Sequence, residues 1–255
     1  MNKFFIVGTC VFGLFFKVQS ALYNGNGDTS FGGAIGTGSL SLTDNGSIVT
    51  GTVTRGGSSF ADILVIYIDS RTGGFPTTSG FTDSSGRLTR AISGISGASD
   101  RASADFANGF AADYAIALRP RSIADSDQLF QLVNNGAHTA LGSVNLNPLS
   151  TQESSAYTFS FSLADIGLTE GAGVSFKFES TYLGETGFRS LESFESLTGT
   201  TGWDSISFGN YDTYTLAPVP ETTNASLAIF GVCVLIFAMF RRVRRTFTTN
   251  CRTVA

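Results

Sequence analysis

Between Asn224 and Arg241 lie sixteen residues without a charge, followed at once by Arg241, Arg242, Arg244 and Arg245. An apolar run ending in four arginines has little reason to sit inside an ordinary soluble domain. As an α-helix rising about 1.5 Å per residue it spans roughly 24 Å. A hydrocarbon core is about 30 Å thick, and snorkelling arginines cover the difference. Arginines directly after an apolar span hold that end on the cytoplasmic side. Everything before Pro220 is therefore expected beyond the membrane, tethered at its C-terminus by one helix in lipid.

The first residues complete the export argument. Lys3 supplies a positive start, residues 4–16 an apolar run, and Val18-Gln19-Ser20 a small-x-small cleavage site before Ala21. The expected division is a signal peptide over 1–20, an extracytoplasmic domain over 21–218, a C-terminal signal over 219–245 and a short tail over 246–255. Cys10, Cys233 and Cys251 all fall outside the exported domain, which therefore owes nothing to disulfides. Residues 21–219 carry 19 Asp/Glu against 9 Lys/Arg, a formal charge of −10. That balance gives no footprint for nucleic acid, which needs clustered cations facing phosphates.

Val219, Pro220 and Glu221, the apolar run, and Arg241, Arg242, Arg244 and Arg245 together resemble the PEP-CTERM sorting signal of bacterial exosortase substrates. Thr222 stands where the family motif has a second proline, and ten residues follow the arginines where members usually stop. The resemblance implies an exosortase-type membrane protease as partner and cleavage near Pro220-Glu221. It further implies transfer to the cell envelope or an extracellular polymer. A plain single-pass anchor is the alternative.

Within the domain, alternation dominates. Leu40 and Leu42 alternate with polar residues, and Asp44-Asn45-Gly46 marks a hairpin leading to a return strand over 47–54. Residues 63–68 are continuously apolar, the mark of a strand covered on both faces. A short strand is expected over 87–95, another over 113–118, and a hairpin from 128–133 to 141–146. Tyr157, Phe159, Phe161 and Leu163 alternate with Thr158, Ser160 and Ser162, and Phe176 and Phe178 continue the theme. Residues 21–38 read as a loosely ordered lead, 184–199 as an irregular acidic loop, and 203–214 as a final strand pair. About ten short strands with Gly-rich turns predict an all-β fold, a jelly-roll-like β-sandwich. The strand ending Tyr67-Ile68-Asp69 before Gly73-Gly74, with the later run from Tyr157 to Leu168, resembles DOMON-like sandwiches and family 9 carbohydrate-binding modules. Those surround a sugar or haem cleft.

Chemistry-bearing residues are few. His138 is the one histidine and reads as a solvated loop residue, leaving Ser-His chemistry almost no material. Haem needs an axial Met or His, and residues 21–219 offer no Met and one His, which argues against it. Asp69 with Asp62, or Asp83 with Asp100 and Asp105, are conceivable calcium ligands without any recognised loop spacing. Trp203, Tyr211 and Tyr214 form the one aromatic cluster suited to stacking on a sugar face, with Asp69 as a polar companion. The expectation is a non-enzymatic exported protein without cofactor or metal, binding polysaccharide if it binds anything. A glycan hydrolase using two carboxylates and a ligand-free structural protein are the rivals.

Overall fold

The computed structural model describes residues 20–96, 100–120, 127–144, 151–171 and 173–216. The chain from Val18 to Pro218 forms one compact unit. In chain order, β1 (Ser20–Asn24), β2 (Ser39–Asp44), β3 (Ile48–Thr54) and β4 (Ile63–Asp69) precede the helix α1 (Arg87–Ser93). Then come β5 (Ala104–Asp105), β6 (Tyr114–Leu118), β7 (Asp127–Gln131), β8 (Thr139–Ser143) and β9 (Ala156–Ser162). A single 3-10 turn (Ala164–Ile166) leads to β10 (Ser175–Leu183), β11 (Leu197–Thr198), β12 (Ile206–Phe208) and β13 (Asp212–Thr215). The protein is all-β, with three sheets: β1-β2-β3-β9, β13-β10-β4-β6-β7-β8, and a small one ordered β11-β12-β5.

The first two sheets share an apolar core. Leu40, Leu42, Val49, Val53, Tyr157, Phe159 and Phe161 from one meet Leu64, Ile66, Ile68, Ile116, Phe176 and Phe178 from the other. Strand β9 is buried at alternate residues, as its sequence predicts. Across it, Gly51 on β3 pairs with Phe159. A Cβ on Gly51 would lie 2.2 Å from the Phe159 ring, so the missing side chain is what lets that ring cover the strand.

Strand β4 sits inside the six-stranded sheet, and its two faces feed two different cores. Leu64, Ile66 and Ile68 enter the core between the sheets. Ile63, Val65 and Tyr67 face a second core with Leu88, Ala91 and Ile92 of α1 and Phe106 and Phe208. Continuous hydrophobicity is the direct consequence of double coverage.

Three expectations are corrected. Residues 87–93 form a helix, not a strand: Leu88, Ala91 and Ile92 fall at i, i+3 and i+4, one buried face, and Gly94 ends it in the left-handed conformation (φ 60°). Residues 21–38 are not a loose lead. Strand β1 pairs with β2, and Ala34 and Ile35 in the Gly-rich segment are fully buried. The final strand pair divides, since β12 joins β5 in the small sheet while β13 pairs with β10. The acidic loop 184–199 buries Arg189, Glu192 and Glu195, while Thr186 and Ser196 in it are exposed.

Candidate functional site

Among the described residues, charge is concentrated where β10 leaves the six-stranded sheet and the chain folds back through 189–195. The turnback is built on two Ser-x-Glu units. Ser190 Oγ accepts the Glu192 N–H at 3.1 Å, and Ser193 Oγ accepts the Glu195 N–H at 2.9 Å. Each unit turns its carboxylate inward. Glu192 Oε1 accepts the N–H groups of Phe31 (2.7 Å) and Gly33 (2.8 Å), and Oε2 those of Ile35 (2.9 Å) and Gly36 (3.2 Å). One side chain thus satisfies four backbone donors of a segment that has no strand ladder of its own.

Glu195 Oε2 accepts the Ser180 N–H (2.8 Å) and the hydroxyls of Ser180 (2.8 Å) and Ser193 (2.6 Å). Burial outweighs these bonds and lifts its carboxyl to about 7. Glu179, on the opposite face of β10, accepts only the Ala107 N–H (3.0 Å), and its Oε2 has no partner among the described residues. Burial first, with Glu195 and Asp69 adding to it, raises this carboxyl to about 9, so it keeps its proton at neutral pH. Arg189, also wholly buried, donates to Thr181 Oγ1 (3.0 Å) and the Ala102 carbonyl (2.9 Å). Its burial pushes the guanidinium pKa down.

At the rim of the same face, Lys177 stands opposite Asp69 in the β10–β4 register. Lys177 Nζ lies 3.3 Å from Asp69 Oδ2 and 4.9 Å from the centre of the Tyr211 ring. Asp69 and Tyr211, both singled out as ligand candidates, are thereby brought together by a lysine the sequence reading left aside. The other two candidates lie elsewhere. Tyr214 points into the core between the sheets, 1% exposed, its hydroxyl donating to Asp44 at 2.6 Å. No face of that ring is open to a sugar. Trp203 is half-buried and packs edge-on against Phe188. The expected aromatic cluster is therefore three separate environments, because side-chain parity along β13 sends Tyr214 inward.

His138 is buried, not solvated. Its Nδ1 accepts the Val133 N–H at 3.1 Å, and its Nε2 lies 3.1 Å from Ser93 Oγ. With Nδ1 occupied as an acceptor, a neutral ring carries its proton on Nε2 and donates it to Ser93. Burial also lowers the ring's pKa. The pair is the reverse of a serine activated by a base, for which Nε2 must accept. Asp83, a suggested calcium ligand, is committed to Ser85 (N–H at 2.9 Å, hydroxyl at 2.6 Å) and the His138 N–H (2.8 Å). Asp100 accepts from the Ser96 hydroxyl, and Asp105 lies exposed on β5. Among the described residues no three His, Cys, Asp or Glu side chains converge as metal ligands would, and no helix is long and apolar enough to cross a membrane.

The sorting residues Val219, Pro220, Glu221, Arg241, Arg242, Arg244 and Arg245 lie outside the described residues. No protein-family model, curated protein or solved structure matches the chain.

Proposed function

We propose that this chain is an exported protein of the cell envelope or extracellular matrix. Its domain is a jelly-roll-like β-sandwich that binds polysaccharide and catalyses no reaction. In this reading residues 1–20 direct export and are removed. The helix over 225–240 then holds the domain at the membrane until an exosortase-type protease cuts near Pro220-Glu221. The observation that carries the reading is the order of three parts at the C-terminus: Val219-Pro220-Glu221, sixteen uncharged residues, then four arginines within five positions. It gains support from the compact unit, which runs from Val18 to Pro218 and so ends beside both expected cuts.

The orientation of the Ser93–His138 pair favours the non-enzymatic reading. The rival, a hydrolase with two carboxylates, draws on Glu179, which keeps a proton while Asp69 lies nearby. Against it, Glu179 is wholly buried beneath Ala107. Proline at 220 lacks an N–H and keeps the preceding residue extended, which suits a protease reading a helix-free segment at the membrane surface.

The test is the mass of the mature protein in cells that contain an exosortase. A chain ending near Pro220 is expected, and Pro220→Ala with Glu221→Ala should leave a full-length membrane species. Wild-type protein ending at Ala255 in such cells would leave a plain anchor.

A further inference from the structure

Five Asn-Gly pairs stand in the domain: Asn24-Gly25, Asn26-Gly27, Asn45-Gly46, Asn108-Gly109 and Asn135-Gly136. The pair has a chemistry of its own. The glycine nitrogen, once it gives up its proton, attacks Cγ of the asparagine side chain. An N–Cγ bond forms, the Cγ–Nδ2 bond breaks, and the side-chain nitrogen leaves as ammonia. Water then opens the cyclic imide at either carbonyl, leaving aspartate or its β-linked isomer, isoaspartate. Glycine permits the reaction because no Cβ hinders the approach and its backbone turns freely. In an unfolded chain the five pairs are nearly equivalent, and only the fold can make them unequal.

Three pairs are held. The Gly25 N–H donates to the Gly38 carbonyl at 2.9 Å, and the Gly27 N–H to that of Gly36 at 2.7 Å. Asn26 is tied further, its Oδ1 accepting the Asp28 N–H (3.0 Å) and its Nδ2 donating to the Leu191 carbonyl (2.8 Å). At the β2–β3 hairpin the Gly46 N–H donates to Asp44 Oδ1 at 2.9 Å. There Asn45 Oδ1 accepts the N–H groups of Ser47 (3.2 Å) and Ile48 (2.9 Å). Each nucleophile is turned towards an acceptor, and Asn26 and Asn45 cannot swing Cγ round without losing bonds.

Two pairs are open. Asn108 and Gly109 occupy the middle of a tight turn closed by the Phe110 N–H on the Ala107 carbonyl (3.0 Å). Gly109 has φ 87°, the left-handed value that a type II turn requires at its third position. Both residues are exposed, and neither the Gly109 N–H nor the Asn108 side chain has a partner among the described residues. Asn135 is exposed at φ 53° and gives its own N–H to the Gly80 carbonyl (2.9 Å). Its side chain and the Gly136 N–H are likewise unbonded among the described residues. We propose that Asn108 and Asn135 are the sites at which the folded domain converts to aspartate and isoaspartate, while hydrogen bonds protect Asn24, Asn26 and Asn45.

Asn108 carries the larger structural consequence. Isoaspartate adds one methylene to the backbone inside its turn. The Ala107 N–H of that turn makes the one hydrogen bond that Glu179 accepts among the described residues, and the Gly109 carbonyl accepts the Lys177 ammonium. Conversion at Asn108 therefore loosens the partners of both side chains.

The experiment incubates the full chain, held in detergent, at pH 8. Each Asn-Gly peptide is followed by mass spectrometry after digestion, with electron-transfer fragmentation to tell isoaspartate from aspartate. A parallel sample is kept unfolded in guanidinium chloride. In the folded protein Asn108 and Asn135 should convert at least about tenfold faster than Asn24, Asn26 and Asn45, because one or more hydrogen bonds must break first at those three. In the unfolded sample the five rates should draw together. Folded-state rates that fail to separate the two groups would overturn the proposal. So would conversion at Asn26 or Asn45 ahead of Asn108 or Asn135, or the same ranking kept in the unfolded chain. The measurement needs neither a ligand nor a sorting protease, so it stands apart from the processing test.

Discussion

Glu192→Gln changes one oxygen to an NH2 group and nothing in volume, yet it should be among the most damaging substitutions in the domain. Each carboxylate oxygen of Glu192 accepts two backbone N–H groups, from Phe31 and Gly33 on one side and Ile35 and Gly36 on the other. In glutamine the carbonyl oxygen keeps one pair, and the amide nitrogen, itself a donor, faces the other. Two bonds to a charged acceptor disappear, at about 1.5–3 kcal/mol each, and two N–H groups are left without an acceptor. The expected loss is about 3–6 kcal/mol, a large part of the roughly 5–15 kcal/mol that a domain of this kind possesses. Urea unfolding of the full chain measures it, and amide exchange at Gly33, Ile35 and Gly36 locates it. A loss below about 1 kcal/mol, with those amides still protected, would refute the four-bond account of this segment.

The same substitution at Glu179 should act in the opposite direction. Its carboxyl is raised from 4.5 to about 9 in the folded protein, so the folded state holds a proton that the unfolded chain releases. Its contribution to stability is complete below 4.5 and is lost as pH rises towards 9. Glu179→Gln mimics the protonated form, and should exceed wild type by an amount growing at up to about 1.4 kcal/mol per pH unit across that window. Unfolding curves at pH 5 and pH 8 measure this, and a constant difference between the two proteins would contradict it. Gly51→Ala should cost about 1–3 kcal/mol, since its Cβ must displace the Phe159 ring in a filled core; thermal melting within half a degree of wild type would show that the ring yields freely. Phe161→Asp should abolish folding, because a buried, unpaired carboxylate costs several kcal/mol, whereas Ser160→Asp, on the outer side of β9, should be nearly silent. Equal effects on the melting curve would contradict that facing.

The strands with a local signature were legible in the sequence. The Asp44-Asn45-Gly46 turn, the doubly covered β4 and the alternating β9 all stand as read, because each pattern is complete within eight residues. Helix α1 was not legible, since seven residues make only two turns and three apolar positions are too few to set a helical period against the strands around it. The buried polar groups were hidden for another reason. Nothing near Glu192 in sequence reports the N–H groups it serves, and nothing near His138 reports Ser93. The repeated Ser-x-Glu at 190–195 was a usable signal, since serine two residues before an acid turns the chain locally, but its inward direction depends on partners far away. For the ligand candidates, parity was available at Tyr214 but its sheet was not. Lys177, which joins Asp69 to Tyr211, was visible only as the polar member of an alternating strand.

The Glu192 bonds also fix an order of events in time. They join positions 156 to 161 residues apart in the chain. A polypeptide made or threaded N-terminus first delivers Phe31 to Gly36 long before the side chain that completes them. Until residue 192 arrives, those amides have only water as a partner, and β1 has a neighbour in β2 but no finished loop beside it. Contacts of such separation close slowly, so the segment from Phe31 to Gly36 cannot reach its final bonding before residue 192 is in place. A chain halted before residue 192 carries every residue of its first sheet and still lacks the means to lock its own N-terminal end.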